Sequence, residues 1–316
     1  MFKFTVKRIL SAIPTLAVVL VVVFLLVRVL PGSAAYSLVD EENMTEENIK
    51  TVEARLGLDK SVFQQFIEYV RDIFTGNWGN SYLNGRDVLW NIKHRLEPTI
   101  FLALLSTLIT VVVGIPMGIA AATHRNSWLD YSLSTTALVF RTVPTFWMCV
   151  LFVYLIAFKA GLFPVQGYTK IADGGFFKAL HSITLPAIAL GLSHVATTAR
   201  HTRSCMLQVL GEDYIRTAKA KGLSIFKIRY KHALRNTASL IVTTVFSSMA
   251  TMLGGSTVVE KVFNIEGIGK LAFDSLIKRD YPQEQACILF MALIFIAVNI
   301  LLDIIYKLID PRVSFD

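Results

Sequence analysis

Five stretches of this chain run for 18 residues or more without one Asp, Glu, Lys or Arg: Ile9 to Val27, Pro98 to Thr123, Ala179 to Ala199, Asn236 to Val259 and Gln285 to Leu302. A sixth, Tyr131 to Phe158, is interrupted within its apolar length by Arg141. About 20 mostly apolar residues suffice for a helix to cross the hydrocarbon core of a bilayer, so these runs predict six transmembrane helices. Lipid offers no partner to a backbone N–H or C=O, and helices satisfy their own. Pro14, Pro116, Pro144 and Pro186 are then expected where neighbouring helices or cavities compensate.

With 54% hydrophobic and 17% charged residues, the chain has too little polar surface for an ordinary soluble domain. Its formal charge of +8 is accounted for by cytoplasmic loops facing an anionic leaflet, without nucleic acid as a partner. Cys149, Cys205 and Cys287 stand singly, which excludes a disulfide framework or a closely spaced Cys metal pair and leaves them as small packing residues. The first apolar run, of 19 residues after Lys3, Lys7 and Arg8, exceeds a signal-peptide core and predicts an uncleaved helix.

Orientation follows from the short loops. With the amino terminus inside, the inner segments 1–8, 124–130, 200–235 and 303–316 carry 15 Lys and Arg, against 7 in the outer segments 159–178 and 260–284. This bias places both termini in the cytoplasm. Residues 31–97 become an extracytoplasmic insertion with a helix of its own. In "SVFQQFIEYVRDIFTG", Ser61 and Gln64 have capping-box spacing, apolar residues recur at 62, 63, 66, 67, 70, 73 and 74, and Gly76 stops the pattern. Such an amphipathic helix lies on the membrane or docks a partner.

The inner bias is concentrated in "EDYIRTAKAKGLSIFKIRYKHALRN", 212–236, which holds seven Lys or Arg against two acids. Acids at its start and good helix formers after them predict a helix that Gly222 ends, with Ser224 capping the next. Tyr214, Ala218 and Gly222 share a narrow face suited to close docking. Charge alone is equally met by a basic inside loop.

This segment resembles the coupling loop of ATP-binding-cassette importer permeases of the dipeptide, oligopeptide and nickel branch. "RTVPTFW" at 141–147, "ITLPAIALG" at 183–191, "VFNIEGIGKLAFDSLIKRDYP" at 262–282 and "DPR" at 310–312 resemble the same branch in the same order, as do "LGLDKSVFQQFIEYVRDIFTGNWGNSY" and "PTIFLAL". Arg216 and Arg235 stand where the broader loop pattern has Glu and Pro. The resemblance implies an all-α integral membrane protein of the prokaryotic cell membrane, with six helices of the type I ABC importer permease kind. Its parts are a cytoplasmic start and first span at 1–30, the insertion at 31–97, a five-helix core at 98–309 that includes a cytoplasmic coupling loop at 203–235, and a tail at 310–316. It further implies a second homologous permease, two cytoplasmic ATP-binding subunits and an extracytoplasmic binding protein as partners. Tyr214, Arg216, Thr217, Ala218, Lys219, Lys221 and Gly222 are the implied contacts to the ATPase.

No cofactor is expected in this chain, ATP and Mg belonging to the partners, and neither catalytic nor metal-ligating residues are expected. "GIGKLA" at 267–272 fails as a phosphate loop, since Leu271 follows Lys270 where Ser or Thr should stand and Asn264 replaces the first Gly. Peptides are the expected cargo. Nickel chelates, glutathione or another small solute are the alternatives, as is a signalling subunit that moves nothing. Carriers driven by ions would want acids inside the spans, a channel a filter or charged ring, and an enzyme a polar constellation. Two residues inside spans are candidates for the translocation pathway. A charge on a span costs about 2.5 to 3.5 kcal/mol at its centre, so Arg141 either lines the pathway, meeting a cargo carboxylate, or pairs internally. His194 is either a pathway residue or a hydrogen-bonded packing residue.

Overall fold

A computed structural model describes residues 2–29, 34–39 and 45–309. The tail 310–316, with its Asp-Pro-Arg, lies outside the described residues. The described residues form helices, joined by turns and one isolated bridge between Asn80 and Asp87. In chain order the helices are α1 (Phe2–Val29), α2 (Glu46–Arg55), α3 (Val62–Phe74), α4 (Val88–Ile109), α5 (Ile115–Thr123), α6 (Trp128–Thr142), α7 (Thr145–Phe152), α8 (Ile171–Leu210), α9 (Asp213–Ala220), α10 (Leu234–Val262), α11 (Ile268–Ile277) and α12 (Tyr281–Ile309). Wider π turns continue three of them: Thr110–Gly114 joins α4 to α5, Val153–Lys159 extends α7, and Lys227–Ala233 leads into α10.

Among the described residues, five helical runs are long and apolar enough to cross a membrane, and a sixth if a bent pair counts as one span. That pair corrects the expectation of one continuous helix over 131–158. α6 and α7 meet at 99°. The bend falls at Val143, which is extended at φ −72° and ψ 125°, just before Pro144. Proline lacks the N–H that would continue the ladder and pushes the residue before it out of the helical region. The second run also differs: its helix begins at Val88, ten residues before the uncharged stretch, and runs through Pro98 to Thr123. The π turn at Thr110–Gly114 lies just ahead of Pro116 and absorbs the geometry that a missing donor imposes.

The chain divides into two units. One contains residues 1–97 and 266–296. Here α3 starts as the sequence requires, the Ser61 hydroxyl accepting from the Gln64 N–H at 3.3 Å. Its apolar face is partly used, for Phe66 and Tyr69 pack on Phe24 of α1 with ring centres 5.1 and 5.6 Å apart. Arg28 covers the same phenyl ring at 3.5 Å and donates to Gln65 Oε1. Phe63, Ile67 and Phe74 stay exposed. Farther along, buried Asp280 accepts from the Ser81 hydroxyl and from the Tyr82 N–H at 2.9 Å, and Asn91 donates to Gln283 at 2.6 Å. Burial, and then the neighbouring Asp280 carboxylate, push the Tyr82 phenol up to about 12, so it is neutral.

The other unit contains residues 98–265 and 297–316, and α8 is its axis. Gly114 and Gly118 let α5 lie against α8: a Cβ on Gly118 would stand 2.5 Å from the Ala199 carbonyl oxygen, and one on Gly114 3.1 Å from that of Val195. This is the small-residue seam by which membrane helices gain van der Waals contact. A core of Leu102, Cys149, Ile183, Leu185, Met252 and Phe263 fills one part of the unit. A second cluster, Ile119, Met206, Ile215, Ala218, Ile228 and Ala233, gathers α5, α8, α9 and the turn before α10. Cys149 and Cys287 are buried and Cys205 half-buried, all three free.

Candidate functional site

α9 is a short helix with acids at its start and a defined stop. Glu212 precedes it, Asp213 sits in its first turn and Lys219 in its last, as the helix dipole favours. At its end the Gly222 N–H bonds the Lys219 carbonyl at 3.0 Å and the Leu223 N–H bonds that of Ala218 at 3.2 Å. This Schellman pair requires a left-handed residue, supplied by Gly222 at φ +73°. Ser224 then opens the following helical run, its hydroxyl accepting from Lys227 N–H at 3.4 Å.

The orientation of α9 revises the expected docking face. Ile215 and Ala218 point into the second cluster, Ala218 being 7% exposed, so the line from Tyr214 through Ala218 to Gly222 is not an open face. Tyr214 is partly exposed, and its hydroxyl oxygen accepts from Asn236 Nδ2 at 2.6 Å. What α9 and the turn after it present outward is Asp213, Tyr214, Arg216, Thr217, Lys219, Ala220, Lys221 and Gly222. Arg216 reaches Asp213 at 3.3 Å, an exposed pair of little energetic weight. A Cβ at Gly222 would meet nothing within 4 Å in this chain.

α8, which precedes α9 in the chain, is joined to α6 by an ion pair that sequence reasoning missed. Arg203 of α8 grips Asp130 of α6 with both ends of its guanidinium, at 2.6 and 2.7 Å. The Asn126 N–H adds a bond at 3.1 Å to an aspartate only 3% exposed. The partners are 73 positions apart, and no local pattern announces them.

Arg141 and His194, the two in-span candidates for the pathway, lie in different cavities. Arg141 lines an apolar cavity of about 300 Å³ between α5, α6 and α8. His194 lies on another side of α8, in a cavity of about 520 Å³ shared with α10. On α8 this trough is lined by His194, Thr197, His201 and Cys205, and on α10 chiefly by Thr243, Thr244, Ser247, Ser248 and Thr251. Most of its hydroxyl hydrogens are spent within their own helices: Thr243, Thr244 and Thr251 donate to backbone carbonyls at 2.8, 3.0 and 2.8 Å, and Thr197 at 3.2 Å. The oxygen lone pairs remain to accept from whatever occupies the trough. The α10 hydroxyls were legible at spacings of four residues, but lay inside a run counted only for its lack of charge.

Among the described residues no three His, Cys, Asp or Glu side chains gather as metal ligands would. The "GIGKLA" stretch opens α11, where Lys270 bonds Glu266 at 2.5 Å and Arg95 bonds it at 3.0 Å. Burial raises the pKa of Glu266, but the two cations outweigh it and hold the carboxyl below its ordinary value.

Residues 114–315 match the family described as the binding-protein-dependent transport system inner membrane component, and residues 1–103 match its N-terminal companion. The chain belongs to this permease family. Relatives of the same length agree. The permease is 38% identical over 312 residues to the Sinorhizobium fredii protein y4tP, named for peptide ABC transport, with 99% of each chain covered. It is 38% identical over 310 residues to a Brucella suis peptide transport system permease, with 98% of each covered. Against the Escherichia coli glutathione transport system permease GsiC it is 38% identical over 315 residues, with 100% of each covered. Chains of the MetNI methionine ABC transporter in inward-facing conformations superpose with TM-scores of 0.59 and 0.60 at 16% identity, over 70% of the permease and 97% of their own length. At that identity the likeness is one of fold. The permease is thus a multi-pass membrane subunit of an ABC importer, with the all-helical type I architecture.

Proposed function

We propose that this permease forms half of a pathway for small peptides, delivered by an extracytoplasmic binding protein, and is moved by ATPase subunits that engage α9. The observation that carries the reading is α9 itself: a helix stopped at Gly222 and seated on the bundle by Ile215 and Ala218, with Arg216, Lys219 and Lys221 exposed. Closure of an ATP-binding dimer against these residues would shift α9 and, through the cluster and the Asp130–Arg203 pair, α6 and α8 with it. ATP and Mg would be bound by those subunits, the permease itself catalysing nothing, and both termini would lie in the cytoplasm on the Lys and Arg bias. A second homologous permease would complete the trough between α8 and α10 as a closed pathway.

The trough suits a peptide chemically. Self-satisfied hydroxyls offer acceptors to amide N–H groups and an ammonium terminus, and no strong fixed charge that would hold cargo in place. Relatives named for peptide and for glutathione transport make a short peptide the best-supported cargo. His194 and His201 would meet it there, whereas Arg141 would not.

The test is uptake of labelled peptides by proteoliposomes holding the complete transporter, with and without internal ATP. The Gly222→Asp variant should insert normally and hydrolyse ATP while losing most uptake, because a charge and a side chain would enter the ATPase contact. Gly222→Asn, which tolerates a left-handed backbone, separates that contact from strain. Normal uptake by Gly222→Asp at normal membrane levels would remove α9 from the mechanism.

A further inference from the structure

We propose that the cavity between α5, α6 and α8 is a binding site for an anionic phospholipid, with an acyl chain in the cavity and its phosphate held by Arg141 and Arg200. Both arginines line the cavity beside apolar Met117, Leu133, Leu138 and Ala196. Among the described residues neither has a carboxylate or hydrogen-bond partner, whereas Arg203, which lines the same cavity, is paired with Asp130 through Nε and Nη2. Both guanidiniums are exposed in this chain, so on helices that span a membrane they meet whatever lies against the bundle there, and a charge beside apolar walls calls for an anion carrying an apolar body.

The walls choose lipid over cargo. A peptide carboxylate would bring its own N–H and C=O groups against alanine, leucine and methionine, which satisfy none of them. The one hydroxyl lining this cavity, Ser134, donates to Asp130 at 3.4 Å, and the rows of hydroxyls that could serve a peptide lie in the other cavity, along the side of α8 that meets α10. The flank of α6 is also that of a lipid-facing helix: Leu138, which lines the cavity, is 61% exposed. Basic pockets between membrane helices are recognised sites for anionic headgroups.

The position has a consequence for coupling. On α5, Gly118 and Ala121 border the cavity while Ile119 and Ala122 belong to the cluster that seats α9. A headgroup tying α6 to α8 would stiffen the joint that α9 moves.

The experiment is native mass spectrometry of the delipidated, intact transporter incubated with phosphatidylglycerol or phosphatidylcholine. Wild type should retain phosphatidylglycerol roughly tenfold better than phosphatidylcholine. The Arg141→Gln, Arg200→Gln double variant should lose that preference, and the corresponding double Lys variant should keep part of it. Leu138→Trp, which fills the cavity and leaves both charges, should lose retention too, so a folding failure of one variant does not decide the matter. Equal retention of the two lipids by wild type overturns the proposal. So does unchanged phosphatidylglycerol retention by the double Gln variant, or competition by inorganic phosphate as effective as that by lipid. Loss of the second permease from the double Gln variant, with lipid retention unchanged, would assign the arginines to that subunit instead. Because lipid is counted directly, the result stands apart from any measurement of uptake.

Discussion

On one side of α8, Gly114 and Gly118 bring α5 into backbone contact and Arg203 grips Asp130 of α6; on the other, α8 meets α10 across a trough of hydroxyls. The first seam is held by close shape and a desolvated ion pair, and parting it would strand a charge and forfeit many small contacts. At the second, the threonine hydroxyls are largely satisfied within their own helices, so their side chains lose little if the helices separate or a polar solute comes between. One helix therefore serves as a rigid strut on one flank and a permissive wall on the other.

Asp130→Ala attacks the first seam hardest. Removing one partner of a buried pair costs roughly 3 to 5 kcal/mol, and the partial exposure of Arg203 puts the expected loss near the low end. A large fall in thermal stability of the detergent-solubilised permease should follow. The charge-reversed pair Asp130→Arg, Arg203→Asp should restore part of it. If Asp130→Ala unfolds at the wild-type temperature, the seam is not held by this pair.

Gly118→Ala comes next, because its methyl would meet the Ala199 carbonyl at 2.5 Å and force α5 away, at a cost of about 1 to 3 kcal/mol. The matching change on α10 should do the opposite. A Cβ on Gly254 meets nothing within 4 Å, so Gly254→Ala should be neutral or stabilise by up to about 1 kcal/mol through helix propensity. Comparable losses at both positions, read from thermal denaturation, would show that Gly118 holds no special contact with α8.

The smallest stability change belongs to the trough. Replacing Thr243, Ser247 and Thr251 by Val, Ala and Val should shift stability by about 0.5 kcal/mol or less at each site, while uptake of peptides falls several-fold. Unchanged uptake would move the pathway away from the trough.

Much of this was readable beforehand. Uncharged runs marked the spans, Ser61 and Gly76 bounded α3, and Gly222 ended α9, because helix length, caps and left-handed glycines are decided within a few residues. Pro144 stood in plain view, yet the 99° bend it accompanies was not read, since proline inside a membrane helix is often accommodated without a break. The inward turn of Ala218 was missed for a different reason: Tyr214, Ala218 and Gly222 do share a face, but which face packs inward depends on neighbours far along the chain.

The sequence by itself determined that this chain lives in a bilayer, roughly where its spans fall, how α3 and α9 stop, and which family it joins, for those rest on local composition and on motifs in order. The tertiary structure alone decided that Asp130 finds Arg203, that Arg141 and His194 part company, and that Ala218 is core. Each of those depends on where distant helices pack, and burial, unlike helix propensity, belongs to no single stretch of chain.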